Sequence, residues 1–310
     1  MKAIWRESWG ARMEYILSAA VFALLECPNT SILGIQRMLV DRRYRQWVVK
    51  QVKDPMVRAF WLKEYENYSN QFMQEAIAPI QNKVGQLLMS PPVRNVLGQV
   101  KRKVDLRFMM DKRRIFIANL SKGLLGEDKA NLLGCLLVTG FELAALERAD
   151  TLEAERKDFH LYIDEFHNFA TDSFATILSE ARKYRLCLTL SHQYLDQLRE
   201  NVRQAVFGNA GTLIAFRVGG KDGNLLAQEF ASAYTAGQFS ALDNFEVLVR
   251  LLSEGRQQEP FRGRTLAPLQ VRSGRREAVI RRSRQKYAST KSVVEEKIGR
   301  WMGEGSRRQP

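Results

Sequence analysis

The sequence predicts an α/β fold with a mostly parallel sheet and helices on both faces, preceded by an all-α subdomain. Three observations predict it. Residues 5 to about 100 carry apolar side chains only at helical spacing, with no β-run. From about residue 104, unbroken apolar runs of roughly four to six residues alternate with amphipathic stretches. Such runs need cover on both faces, and helices between them make right-handed parallel crossovers. The expected parts are 1–103 (all-α), 104–268 (α/β core) and 269–310 (a basic, partly helical tail).

In the first part, "ARMEYILSAAVFALLE" sets Met13, Ile16, Leu17, Ala20 and Leu24 on one helix face. "PNTSILGIQRMLV" restarts a helix after Pro28, with Thr30 or Ser31 as its N-cap. Asp54-Pro55 is a further helix-start signal, ahead of a stripe of Val57, Phe60, Trp61 and Tyr65. "EAIAPIQNKVGQLLMS" and "PPVRNVLGQ" close the region as helices.

In the second part, "RRIFIANLSKG" reads as a short strand and loop, followed by a long helix over about 127–148. "DFHLYIDE" is a strand, and a helix over about 172–184 follows it. Next come the strand "LCLTLSHQY", the helical "LDQLRENVRQAVF", the strand "GTLIAFRVG" and the helical "KDGNLLAQEFAS". "FEVLVRLL" and "PFRGRTLAP" form a terminal hairpin at the sheet edge, and "SVVEEKIGRWM" is the last helix of the tail.

At 310 residues the chain supports a sizeable core and two structural units. Its net charge is +14, and residues 272–310, with 12 Lys/Arg against 4 Glu, supply +8 of it. Such a tail suits a polyanion or an acidic membrane surface, or else is a solvated solubility tail. Cys27, Cys135 and Cys187 are far apart and odd in number, which favours free buried thiols in a reducing compartment. "MKAIWRESWG" has no signal-like apolar core, and the greasiest stretch, 131–149, is broken by Glu142. No membrane-crossing segment is expected. The histidines and cysteines show no zinc spacing, and no GxSxG elbow is present.

In open α/β sheets ligands sit beyond the carboxyl ends of the strands. The residues at those ends are Asn119-Leu120-Ser121, Asp164-Glu165, Ser191-His192-Gln193 and Arg217. Two acids, an amide and a guanidinium at one edge match what phosphoryl transfer uses. Asp164 would hold Mg²⁺ through its water shell, Glu165 would polarise water, Gln193 would sense the γ-phosphate and Arg217 would be a finger. The plainer readings are a polar loop start for the acids, a loop hydrogen bond for Gln193 and a surface ion pair for Arg217.

"FHLYIDEFHNFATDSFATILSEARKYRLCLTLSHQYLDQL" followed by "VFGNAGTLIAFRVG" resembles the C-terminal part of the motor domain of type IV secretion and conjugation ATPases. These are coupling proteins of the TraD/TraG kind, in the FtsK/HerA group of P-loop NTPases. "IFIANLSKGLLGED" and the helical opening resemble that family too, the opening looking like its all-helical insertion. The resemblance implies a RecA-like core, with Asp164-Glu165 as the Walker B acids and "SHQY" as a sensor. It also implies Arg217 as a finger, and Ser191 and Asn119 beside Asp164 on the nucleotide. ATP and Mg²⁺ are then the expected cofactors. The expected partners are DNA, further copies in a hexameric ring, and conjugation or secretion proteins; the expected location is the cytoplasm, or the inner face of the membrane where such partners hold it. His167 and His192 stand where the family more often has amides.

The family's G-x-x-x-x-G-K-[ST] phosphate loop is absent: "GGKDGN" and "SKGLLGEDK" lack its spacing and hydroxyl. The chain therefore looks like the downstream part of a motor, with little or no ATPase activity expected alone. The alternative is a non-catalytic DNA- or partner-binding module that retains the NTPase fold. Arg182, Lys183 and Arg185, with Arg281, Arg282, Arg284 and Lys286 of the tail, are candidates for DNA phosphates; the first three also suit a neighbouring subunit or a plain solvated face.

Overall fold

The computed structural model describes residues 9–101, 103–268 and 274–303. The chain divides into two compact units: residues 1–105, 121–129 and 274–310 form one, and residues 106–120 and 130–273 the other. Six helices come first: α1 (Ala11–Glu26), α2 (Gly34–Val40), α3 (Arg42–Val49), α4 (Pro55–Ala59), α5 (Asn70–Met89) and α6 (Pro91–Leu97). Then come α7 (Leu106–Asp111), α8 (Lys122–Leu125) and α9 (Glu127–Leu146). The α/β run is β1 (Phe159–Ile163), α10 (Asp172–Glu180), β2 (Leu186–Leu190), α11 (Glu200–Asn209), β3 (Leu213–Ala215), α12 (Gly220–Glu229) and α13 (Ala236–Ser240). It ends with β4 (Glu246–Arg250), β5 (Leu252–Ser253), β6 (Arg256–Gln257) and β7 (Phe261–Arg264), before α14 (Arg276–Tyr287) and α15 (Lys291–Met302).

The described residues of the first unit form helices joined by turns and loops, with no strand. α1 buries Met13, Ile16, Leu17, Ala20 and Leu24, the face its spacing predicts. The aromatic stripe of 57–65 is core: Trp61 and Tyr65 are fully buried, and their polar tips are satisfied by backbone carbonyls. Trp61 Nε1 donates to Ala19 O at 3.2 Å, and the Tyr65 hydroxyl donates to Leu39 O at 2.8 Å. Asp54 caps α4 through Met56 N and Val57 N, with Pro55 at the first turn.

Thr30 is not the expected N-cap. Its hydroxyl donates to Leu24 O and Cys27 O, closing α1, and α2 starts at Gly34 with no side-chain cap. The tail's last helix joins this core: Val294 and Ile298 pack in it, and Arg37 stacks on Trp301 and donates to its carbonyl at 3.1 Å.

In the second unit, β1 and β2 pair in parallel, from Phe159 opposite Leu186 to Ile163 opposite Leu190. β3, β4 and β7 form an antiparallel ladder, which includes the expected terminal pair. Two cores result. One lies under β1 and β2 around Phe159, Phe166, Phe174 and Leu186; the other gathers Phe230, Phe239, Leu242 and Leu248.

The run "RRIFIANL" is not a strand. No ladder forms there, and Ile115 and Ile117 stand 90% and 82% exposed. Only Phe116 packs inward, its ring 5.7 Å from that of Phe141. An apolar run becomes a strand only where a neighbouring strand takes its backbone groups, and no strand pairs with it among the described residues. α13 and the β5–β6 hairpin were not foreseen from the sequence. α9 is long and apolar enough to cross a membrane, the one such helix among the described residues. It buries Ala130, Leu132, Gly134, Val138, Phe141, Ala144 and Ala145, as a core helix does.

Candidate functional site

The parallel pairing brings the ends of β1 and β2 side by side, and with them four of the expected residues. Ser191 N donates to Ile163 O at 3.0 Å and Phe166 N to Ser191 O at 2.8 Å, which carries the backbone pairing past both strands. The Ser191 hydroxyl donates to Asp164 Oδ1 at 2.5 Å, and Gln193 Nε2 donates to Glu165 Oε1 at 2.6 Å. Each acid on β1 is thus met by a polar side chain from β2. The acids are not buried against lysines: Asp164 is exposed and Glu165 half-buried.

Glu165 sits at φ 50°, ψ 44°. A non-glycine residue in this left-handed region costs on the order of 1–3 kcal/mol, and such residues cluster at functional sites. The turn is held from several sides. Asn168 donates to Glu165 O through both its backbone N and its Nδ2, each at 3.0 Å. Phe166 is buried and packs against Phe174 with ring centroids 4.6 Å apart and the planes tilted by 51°. A Cβ at Gly134 would collide with the Phe169 ring, so glycine there lets α9 lie directly against the turn.

Two histidines flank the acids. His167 Nδ1 is 3.5 Å from Glu165 Oε2 and has no hydrogen-bond partner among the described residues. His192 is pushed below the usual imidazole range by burial, with His167 adding in the same direction. It is therefore neutral near pH 7. The dismissed "GGKDGN" stretch has a structural role instead: Asp222 accepts from Leu195 N at 3.2 Å and Lys221 pairs with Asp196 at 2.5 Å. These bonds tie α12 to the segment after β2.

Arg217 lies two residues beyond β3, exposed, and makes no ion pair with either acid among the described residues. Asn119 is exposed in the stretch after α7 that forms no strand. On the helix after the acids, Phe174, Ile177 and Ala181 are buried as expected and Arg182, Lys183 and Arg185 are exposed; Arg185 is 3.5 Å from Asp158. Arg281, Arg282, Arg284 and Lys286 are exposed on α14. Asn168 and Gly134 went unnoticed in the sequence. The positive φ that makes Asn168 matter has no residue-type signal.

The donor set suits magnesium held through water: a carboxylate and a hydroxyl are hard oxygen ligands, and a second carboxylate lies beside them. The triphosphate has no cradle, because nothing in the sequence supplies a phosphate loop.

The fold is RecA-like, preceded in the chain by an all-α part. Solved structures of the plasmid coupling protein TrwB share it. TrwB with ADP and Mg²⁺ superposes with a TM-score of 0.58 at 14% identity, over 85% of this chain and 64% of that one. The unbound bacterial conjugative coupling protein TrwBdeltaN70 gives 0.57 at 12% identity, over 84% and 66%. TrwB with ADPNP gives 0.55 at 13% identity, over 85% and 64%. The chain thus spans slightly less than two thirds of these proteins. Residues 158–235 match the family model described as the TraM recognition site of TraD and TraG. This chain is accordingly similar to the TraD/TraG coupling ATPases, as its motifs predict. No curated protein sequence matches it.

Proposed function

We propose that this chain is the downstream part of an ATP-driven coupling motor for conjugative transfer or type IV secretion. Asp164 would hold magnesium through water, steadied by Ser191, and Glu165 would orient the attacking water, steadied by Gln193. The observation that carries this reading is the pairing of each acid with a polar residue of the neighbouring strand, at the carboxyl edge where open α/β sheets bind ligands. Bound magnesium would neutralise phosphate charge; this chain's part is to place two carboxylates in one fixed turn.

Asn119 and Arg217 are not gathered at the acids, so their roles depend on neighbours: a further segment of the motor, or for Arg217 an adjacent copy in a ring. DNA, sister subunits and a TraM-like protein are the proposed partners, at the cytoplasmic face of the membrane. The isolated chain is expected to hydrolyse little or no ATP. With a phosphate-loop segment restored in cis, hydrolysis is expected, and Glu165→Gln should lower its rate about 10²-fold or more. A variant as fast as its parent removes Glu165 from catalysis.

A second reading is a non-catalytic module that keeps the fold and binds a partner. The TraM-recognition match over 158–235 favours it. A restored chain that stays inactive yet retains a TraM-type partner would establish it.

A further inference from the structure

Gln193 holds one oxygen of Glu165, and the second oxygen faces a nitrogen that no role above uses. His167 lies on the single 3-10 turn Phe166–Asn168 that follows the acids, its side chain 15% exposed. Its Nδ1 is 3.5 Å from Glu165 Oε2, is shut off from solvent and has no hydrogen-bond partner among the described residues. Gln193 Nε2 donates to the other oxygen, Oε1, at 2.6 Å. The carboxylate is therefore bracketed by two nitrogens, one for each oxygen.

The chemistry of imidazole decides what this nitrogen does. A buried polar atom left unpaired costs free energy, and each such atom in a folded protein asks for a reason. A neutral imidazole carries one N–H and one bare nitrogen. A bare Nδ1 would set its lone pair against a carboxylate oxygen, so the proton belongs on Nδ1. A small approach then completes the bond, and hydrogen bonds of catalytic groups are often long until substrate is bound. The backbone fixes where the Glu165 side chain starts, at φ 50° with Asn168 donating twice to its carbonyl. The last torsion of a glutamate is broad when nothing holds it. One donor lets the carboxylate turn about that torsion; two donors set its plane.

We propose that His167 is a positioning residue for Glu165: its Nδ1–H holds Oε2 while Gln193 holds Oε1, which sets the plane in which the carboxylate offers its free lone pairs. The inference rests on the reading of Glu165 as the residue that orients water. His167 touches neither nucleotide nor water in this scheme and acts only through Glu165.

The full chain gives the first readout. It has three histidines, His160, His167 and His192, so isotope-labelled histidine yields three rings, assigned with His160→Gln and His167→Asn. Long-range proton–nitrogen correlation spectra at about pH 8.5, where imidazoles are neutral, show which nitrogen carries the proton. His167 should be the Nδ1–H tautomer. In Glu165→Gln, Gln193 keeps the carbonyl oxygen, so the new amide turns its NH2 toward His167. Nδ1 must then accept, and the proton should move to Nε2. A histidine that merely fills space would not change tautomer. The second readout is ATP hydrolysis with a phosphate-loop segment restored in cis. His167→Leu should lower kcat about 10- to 100-fold with KM for ATP unchanged. His167→Asn, whose amide nitrogen can take the place of Nδ1, should restore most of the rate. The proposal is overturned if the parent's His167 has a bare Nδ1, if Glu165→Gln leaves the tautomer unchanged, or if His167→Asn is as slow as His167→Leu. The tautomer readout on the parent and Glu165→Gln needs no nucleotide and no change at His167, so it decides the matter even where His167→Leu fails to fold. Glu165→Gln as fast as its parent, with the tautomer switch intact, is a different failure: the contact exists, but the reading of Glu165 is overturned and the role of His167 with it.

Discussion

The two units solve the same problem with unequal resources. The helical unit has one continuous core, which gathers buried residues of α1, α2, α3, α5 and α15 together with Phe60, Trp61 and Tyr65. The α/β unit has two smaller cores and three separate ladders, the largest of three strands. A helix satisfies its own backbone, whereas a strand needs neighbours on both sides. The outer edges of β2 and β3 have no partner strand among the described residues, and neither "LCLTL" nor "LIA" carries the Lys or Pro that blunts free edges. A two-stranded ladder is marginal by itself. The unit that holds the acids is thus the one with unpartnered strand edges, whereas the helical unit satisfies its own backbone within its helices.

This contrast can be broken by measuring the two units apart. All five tryptophans (Trp5, Trp9, Trp47, Trp61 and Trp301) lie in the ranges of the helical unit. Indole fluorescence therefore reports that unit alone, while far-UV circular dichroism reports both. The largest effect is expected from Trp61→Ala. It removes a fully buried indole and its bond to Ala19, costing about 3–5 kcal/mol. The fluorescence-detected urea midpoint should fall sharply, with the remaining dichroism transition in place. A single transition shifted as a whole would show that the units do not unfold separately.

The centre of the α/β unit is held by a charge where the helical unit uses rings. Arg148 is fully buried, bonded to Asp111 at 2.9 Å and to the carbonyls of Lys157 and Tyr184 at 3.0 and 2.9 Å. These bonds fasten the ends of the segments that lead into β1 and β2. Arg148→Ala leaves two carbonyls and a carboxylate without their donor. With Asp111 half-exposed, the cost should be about 2–3 kcal/mol. The dichroism transition of the α/β unit should move to lower urea with the fluorescence midpoint unchanged. If fluorescence moves equally, the contrast between the units is not one of separate stabilities.

Much of this was legible in the sequence because helices and crossover strands are local. The stripe of α1, the Asp54 cap and the parallel pair with acids at its end follow from spacing alone. What failed was non-local. Whether "RRIFIANL" is a strand depends on a neighbour far away or outside the chain, and its apolar pattern cannot supply one. Thr30 is an equally good cap for a starting helix and closer for an ending one, and residue type does not choose. The acids' location was visible; their turn, with Glu165 at positive φ and Asn168 bracing it, was not, since only glycine advertises such geometry.

The smallest expected effect tests the site's own surroundings. His192 is half-buried beside Phe166, their rings 6.5 Å apart, and desolvation holds its imidazole below its ordinary range. An unfolded histidine titrates near about 6.5. Between that value and the lowered folded value, the unfolded chain binds more protons, so stability falls as pH falls. His192 therefore contributes fully above about pH 6.5, and its contribution is lost as pH drops through the folded value. His192→Gln should flatten the pH dependence of the dichroism midpoint between about pH 7.5 and 5.5 while leaving the fluorescence midpoint on the parent's curve. If the variant loses stability on acidification as steeply as the parent, the neutral imidazole of His192 is not what acid disrupts.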